Sequence, residues 1–498
     1  MRKTLIVLVS ASLCWGADPP FAITPEVQAA LDRISPDSLK GNLSFIASDL
    51  LEGRDTPSRG LEIAGEYIAA QFRKAGLEPG GGADYFQNAK LMMQAPNPDG
   101  FVLTFSSGEQ KVSIPSNQAG IHVSAELDLK DAPVYKLDLA NAEGIGGLTA
   151  EELNGKVVLT ELTRAAMQNG RAAMTKLRSA KPALVVMLER KAGESLAHVG
   201  PQLFDPEGRE SGNTPRLSIG GDDASHFYDA LKPGLSADAK ADVHVAAPKD
   251  QPVQLRNVVG ILRGSDPALR DTCVVLSAHY DHIGQKPPGE GDRIYNGAND
   301  DGSGTVSVIE IANALASLKE RPKRSIVFVT FFGEEKGGFG SRYYARHPPI
   351  ALQGTIADIN LEQVGRTDSD DGPKIANASL TGFDYSNVPE VAKAAGDLTG
   401  IKVYKDEHKS DQYFAQSDNV FLAESGVPAH SLTVAFVYPD YHGVGDEWTK
   451  IDYANMAKVD RMVATAILML ADNTVTPQWN ANNPKAQRYL KAWKQMHP

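Results

Sequence analysis

The chain has 498 residues, 42% of them hydrophobic and 22% charged, an ordinary globular composition and too long for one small module. Its 50 Lys and Arg stand against 62 Asp and Glu, a formal charge of -12, so no positive surplus exists to hold a phosphate backbone and nucleic acid is not an expected partner. With 45 Gly and 30 Pro it is neither collagen-like nor disordered, and at least two folded domains are expected.

Arg2 and Lys3 precede an apolar run over residues 5–13, and Cys14 and Gly16 put small residues at positions -3 and -1 of a cut after residue 16. Residues 1–16 therefore read as a secretory signal, and the protein as exported, periplasmic or secreted. A membrane span needs ~20 apolar residues, about twice this run, so none is expected in the mature chain. Removing the segment takes away two positive charges, bringing -12 to -14, and leaves Cys273 as the one thiol. No intrachain disulfide can then form, and Cys273, in the apolar run 273–276, reads as a buried, inert side chain.

Apolar residues recur at helical spacing over 36–54 and 61–74, and Gly76 supplies a stop. From about 100 to 250 the pattern changes to short strand-like runs at 101–105, 156–162 and 183–188, with a helix near 165–179: an inserted β-rich domain, expected over 100–250. After Pro252, strands (257–262, 272–278, 325–332, 355–361, 429–434) alternate with helices (305–318, 389–398, 453–471). Continuously apolar strands separated by helices predict an α/β fold, a mixed, mostly parallel sheet with helices on both faces, built from 17–99 and 251–475. Residues 476–498 are expected as a C-terminal tail. Ligands of such sheets gather beyond the carboxyl ends of the strands.

Polar residues stand at those ends, where core packing does not ask for them. The first central strand ends in Ala278-His279-Tyr280-Asp281-His282. Extended alternation puts His279 and Asp281 on one face and points His282 away, so His279 can ligate a metal and Asp281 can fix its tautomer. The segment Gly297-Ala298-Asn299-Asp300-Asp301-Gly302-Ser303-Gly304 opens a helix and reads either as an acidic cap or as a ligand loop. Strand 325–332 runs into Gly333-Glu334-Glu335-Lys336, two adjacent carboxylates that are costly at the end of an apolar strand unless a cation or proton is shared there. Strand 355–361 ends in Glu362, and Tyr441-His442 precedes Asp446. Capping does not explain all of these together; a two-metal site does. Two divalent cations ~3.5 Å apart repel by roughly 19 kcal/mol at an effective dielectric of ~20, so a bridging carboxylate is close to obligatory, and Asp300 is the candidate.

At these residues the chain resembles the zinc-dependent aminopeptidases with a co-catalytic metal pair, relatives of glutamate carboxypeptidase and of the transferrin receptor ectodomain. The similarity covers about 40–100 and 252–472. It implies two zinc ions per chain, one held by His279 and Glu362, the other by Glu335 and His442, with Asp300 bridging. It further implies Glu334 as general base, Asp281 as the residue that orients His279, and peptides as substrates. The insert is similar to a protease-associated domain. Two departures stand out: many members carry Asp where this chain has Glu362, and some read Arg-Ser-Asp-His where this chain reads Gln416-Ser417-Asp418-Asn419. Rival readings are a carboxypeptidase or dipeptidase on the same site, a glutaminyl-cyclase-like acyltransferase with one zinc, and a noncatalytic receptor. Oligomeric state and preferred residue do not follow from the sequence.

Overall fold

The computed structural model describes residues 21–498 apart from 140–147, 164–176, 178, 191–199, 209–213, 474 and 475. The segment read as a signal lies outside the described residues, as does most of the helix expected near 165–179. The chain divides into two compact units, one running to Ala89 and resuming at Leu255–Pro498, the other Lys90–Gln254. The insert is thus wider than the expected 100–250. Its ends fall within extended strands, Phe86–Ala95 and Lys249–Leu262, and carry no turn residues to mark them.

The first unit is built on a sheet whose strands include, in chain order, β1 (Lys249–Leu262), β2 (Cys273–His279), β3 (Ser325–Phe331), β4 (Thr355–Leu361), β5 (Asn377–Leu380), β6 (Lys402–Tyr404) and β7 (Ala429–Thr433). They lie side by side in the order β6-β5-β7-β4-β2-β3-β1. The centre is parallel: β2 pairs with β3 and β4, and β4 with β7. Antiparallel pairs, β1 with β3 and β5 with β7, flank it, giving the mixed sheet expected, with its parallel strands at the centre. The short strands β5 and β6 carry too few residues to register as periodic runs.

Every residue of β2, β3 and β4 is buried, which is why these strands read as unbroken apolar runs. Cys273 and Val275 face a core shared with Val327, Val329, Tyr344 and Leu422. Against the sheet pack α3 (Gly304–Ala316) and α5 (Tyr453–Asp472); α2 (Arg59–Ala75) packs on α3, and α4 (Val388–Thr399) on α5. Gly76 closes α2 at φ 75°, as its position predicts. Burial pushes the Cys273 thiol up to about 12, so it is inert.

Two expectations are corrected. The helix expected over 36–54 ends at Ile46 (α1, Pro36–Ile46); a separate turn, Asp49–Arg54, follows, with Glu52 at φ 51° and Gly53 at φ 71°. Gly53 is required there, because a Cβ would stand 2.2 Å from the Gly284 carbonyl oxygen. Residues 476–498 are no tail: Trp479 and Tyr489 are buried in the core with Tyr385 and Phe414, and helix Gln487–Met496 carries Tyr489. The aromatic pair, with ring centroids 5.0 Å apart, anchors a segment whose polar composition conceals it.

In the insert, strands Leu127–Leu137, Val157–Glu161, Leu184–Leu188 and Arg216–Ile219 pair in parallel, and Gly234–Val245, Val102–Ser107 and Gln110–Ser113 extend the sheet antiparallel. Helix Asp222–Ala230 sets Phe227 against Phe105, ring centroids 5.2 Å apart, in a separate core.

His430 on β7 is fully buried, with Nδ1 2.8 Å from the Thr381 carbonyl oxygen and Nε2 2.6 Å from Ser386 Oγ. Burial lowers its pKa from 6.5 to about 4, against the opposing Thr381 bond, so the fold holds it neutral. The unfolded chain takes up a proton at higher pH than the folded one; this contribution is therefore complete above pH 6.5 and lost as pH falls toward 4, about 3 kcal/mol in all. His430→Gln should flatten the pH dependence of unfolding free energy across that window by about this amount. An unchanged slope would contradict the assignment.

Candidate metal centre

The carboxyl ends of β2, β3 and β4 converge with the loop before α3. His279, the last residue of β2, places Nε2 3.3 Å from Asp300 Oδ1 and 3.6 Å from Glu362 Oε1. His442 places Nε2 3.1 Å from Asp300 Oδ2 and 3.3 Å from Glu335 Oε1. Asp300 thus lies between two imidazoles, and the five residues singled out as ligands form two groups that share it. Ligand atoms about 2.0–2.1 Å from a tetrahedral zinc stand about 3.3 Å apart, so these separations match the edge of such a polyhedron.

The unmet hydrogen-bonding capacity points the same way. His279 Nε2 and His282 Nε2 are buried without a hydrogen-bond partner, and Glu335 Oε1 faces only the imidazoles of His282 and His442. Buried orphans of this kind cost free energy, and imidazole nitrogens with carboxylate oxygens are a donor set that zinc takes. The charge balance agrees. Burial opposes protonation of His279, but Glu362, Asp281 and Asp300 outweigh it and hold its pKa well above the ordinary value. Hydrogen bonds to Asp300 and Glu335 raise His442 to about 10. Burial alone would raise Asp300; His279 and His442 pull it far below the usual carboxylate range instead.

The adjacent acid pairs divide their work. Asp301 accepts the backbone N–H of Gly304 at 3.0 Å and of Gln363 at 3.2 Å on Oδ1, and that of His279 at 3.3 Å on Oδ2. It caps α3 and ties β2 to β4, while Asp300, joined to it by a cis peptide, faces the imidazoles. A Cβ on Gly304 would stand 2.3 Å from Asp301 Oδ2, which explains the glycine. Glu335 reaches His442, whereas Glu334 lines an adjoining cavity of about 250 Å³. Burial raises Glu334 well above the carboxylate range, His279 opposing and Asp418, Glu362 and Glu335 adding.

Asp281 lies behind His279: its Oδ1 is 3.5 Å from His279 Nδ1 and accepts the Glu334 N–H at 3.1 Å, and its Oδ2 accepts from Thr56 Oγ1 at 3.0 Å. Asp446 accepts the N–H groups of Asn299 and Asp300 at 3.0 and 3.1 Å and the Tyr438 hydroxyl at 2.8 Å, fixing the loop that presents Asp300. Glu362 Oε2 accepts from Ser417 Oγ at 2.6 Å, so the longer side chain is held in place. His282 corrects the sequence reading. It does not point away but lies with Asp300 and Glu335, its Nδ1 2.8 Å from Glu335 Oε1, because β2 ends at His279 and strand alternation ends with it. Arg54, fully buried beneath the site, gave no signal beyond its place after Gly53 in a stretch read as helix.

Residues 257–467 match the model of peptidase family M28. A probable zinc metalloprotease of Pyrenophora teres f. teres is 37% identical over 122 residues, 24% of this chain and 25% of its own, and one of Leptosphaeria maculans is 34% identical over 216 residues, 36% and 47% of the two chains. The match thus spans between a quarter and a half of the length of these curated relatives. Among solved structures, an aminopeptidase from Aneurinibacillus sp. strain AM-1 superposes with a TM-score of 0.58 at 19% identity, covering 90% of this chain and 97% of that one, which shows the same mixed α/β fold. The residues of the site, from His279 to His442, thus all fall inside the stretch that matches peptidase family M28.

Losing the Asp301 carboxylate leaves three buried backbone N–H groups without an acceptor. At about 1 kcal/mol each, Asp301→Ala should lower the unfolding free energy of chelator-treated protein by roughly 3 kcal/mol in denaturant titration, and Asp301→Asn by less. A loss under about 0.5 kcal/mol would remove Asp301 from the framework.

Proposed function

We propose that this chain is an exported aminopeptidase that holds two zinc ions and removes N-terminal residues from peptides. His279 and Glu362 would hold one ion, Glu335 and His442 the other, with Asp300 between them. The observation that carries the reading is the Asp300 carboxylate set between two imidazoles with Glu334 on the wall of the adjoining cavity. The charged and apolar run over residues 2–13 supports export.

Zinc bound there supplies Lewis acidity and a water made acidic enough to react near neutral pH. The chain's residues do the rest. Glu334 accepts the proton of the attacking water and returns it to the departing amine nitrogen, and Asp281 holds both its backbone N–H and the His279 ring in register. Asp281 and the His279 ring are themselves buried, so bulk water does not compete for the contact between them.

The cavity's charge supports reading the amino end of the peptide. Asp300, Glu334 and Glu362 line it, with the Gln363 carbonyl Oε1 buried and unpartnered beside them, and among the described residues no Lys or Arg lines it. Arg366, a candidate anchor for a C-terminal carboxylate, is 4% exposed and held by Asp368 at 2.5 Å and Asp440 at 2.9 Å. Acceptors without a free cation suit an ammonium group. The stacked rings of Tyr413 and Phe436, centroids 5.3 Å apart, offer an uncharged surface to the adjoining side chain.

Glu334→Gln should keep its zinc and its fold while turnover drops by about 10² to 10⁴, the range for a lost general base. Glu335→Gln should lose metal instead; retained turnover in the first variant would remove Glu334 from the chemistry. A single peptide offered free, N-acetylated, C-amidated and doubly blocked, with products separated by chromatography, tests which end is read. Acetylation should abolish cleavage and amidation leave it nearly unchanged, while the reverse order would replace the aminopeptidase by a carboxypeptidase.

A further inference from the structure

Arg54 is a wholly buried guanidinium with no carboxylate in hydrogen-bonding contact. All its bonds go to backbone carbonyls: Nε to Tyr280 at 2.8 Å, Nη1 to Ile46 and Asn296 at 2.7 Å each, and Nη2 to Gly297 at 2.9 Å. A buried cation without an ion pair is among the costliest arrangements in a protein interior, and four short bonds to carbonyl dipoles only partly offset it. It is kept where its field and its fork have work to do.

Both are aimed at the metal centre. Tyr280, whose carbonyl it holds, stands between His279 and Asp281. Asn296 and Gly297 open the loop that ends in Asp300, and Ile46 is the last residue of α1. The carboxylates of Asp281, Asp446, Asp300 and Asp301 are the charges that act on it through space. Gly53, locked at φ 71° against Gly284, turns the chain so that the side chain enters this space.

We propose that Arg54 is a positioning residue of the metal centre: its fork fixes the end of β2 relative to the loop of Asp300, and so sets the separation between His279 and Asp300. The planar guanidinium spans three chain segments at once, which a point charge on a flexible stem cannot do. The inference rests on the two-zinc reading but concerns binding, not turnover.

The test uses Arg54→Lys, which keeps the charge and loses the fork, beside Arg54→Met. Zinc affinity is measured by competition with a chromophoric chelator, melting of the metal-free protein by circular dichroism, and kcat and KM separately. Both variants should bind zinc 10- to 100-fold more weakly at temperatures well below their melting points, with kcat falling by a similar factor and KM little changed. Parent zinc affinity and kcat in folded Arg54→Lys, with only the melting temperature lowered, would overturn the proposal and leave Arg54 a purely structural residue; so would tight zinc binding by both variants. Should Arg54→Met not fold, Arg54→Lys alone decides. A parent that binds zinc without cleaving peptides would count against the aminopeptidase reading and leave this comparison of affinities intact.

Discussion

The constraint on which this structure turns is electrostatic: Asp281, Asp300, Asp301 and Asp446 are buried together, with Glu334, Glu335 and Glu362 beside them, at one end of the sheet. Carboxylates at this density repel one another strongly where the effective dielectric is low, and they stay ionised only if positive charge is brought among them. The fold supplies some from its own side chains, with the Arg54 guanidinium buried next to the loop of Asp300. What remains is a negative pocket with unpartnered imidazole and carboxylate atoms at the spacing of a divalent cation's ligands. The helices, caps and close glycine contacts around it hold that arrangement against its own repulsion.

The arrangement depends on a division of labour between neighbours. Asp300 and Asp301, adjacent in sequence, have opposite tasks: one faces the imidazoles, the other spends its oxygens on backbone N–H groups of β2, α3 and the segment after β4. Glu334 and Glu335 divide likewise between cavity and cluster. The segment before α3 is open to two readings, acidic cap or ligand loop; Asp301 takes the first, and Asp300, turned toward the imidazoles, is left for the second. Thr56, Ser417 and Asp446 then fix the carboxylates that the strands alone would leave loose.

Much of this was legible because parallel strands covered on both faces make their ends conspicuous. Unbroken apolar runs cannot hide His279, Glu334, Glu335 or Glu362, and the resemblance to a zinc peptidase rests on their order. What stayed hidden lacked periodicity. Strands β5 and β6 are too short to alternate, the break at Ala47 lies inside an amphipathic pattern, and the aromatic anchors of the C-terminal segment are separated by polar residues. His282 was misread because alternation was carried one step past the end of a strand. Arg54 left no trace, since a lone arginine after Gly53 has the same sequence appearance whether it is solvated or wholly buried; only the four carbonyls around it distinguish the two.

The central proposal is that His279 and Glu362 would hold one zinc ion, Glu335 and His442 a second, with Asp300 shared between them. Anomalous diffraction above and below the zinc absorption edge, on crystals of the purified protein grown with zinc, tests it most directly. The account predicts two anomalous peaks per chain, about 3.5 Å apart on either side of the Asp300 carboxylate. A single peak, or two peaks that do not share Asp300, would contradict it.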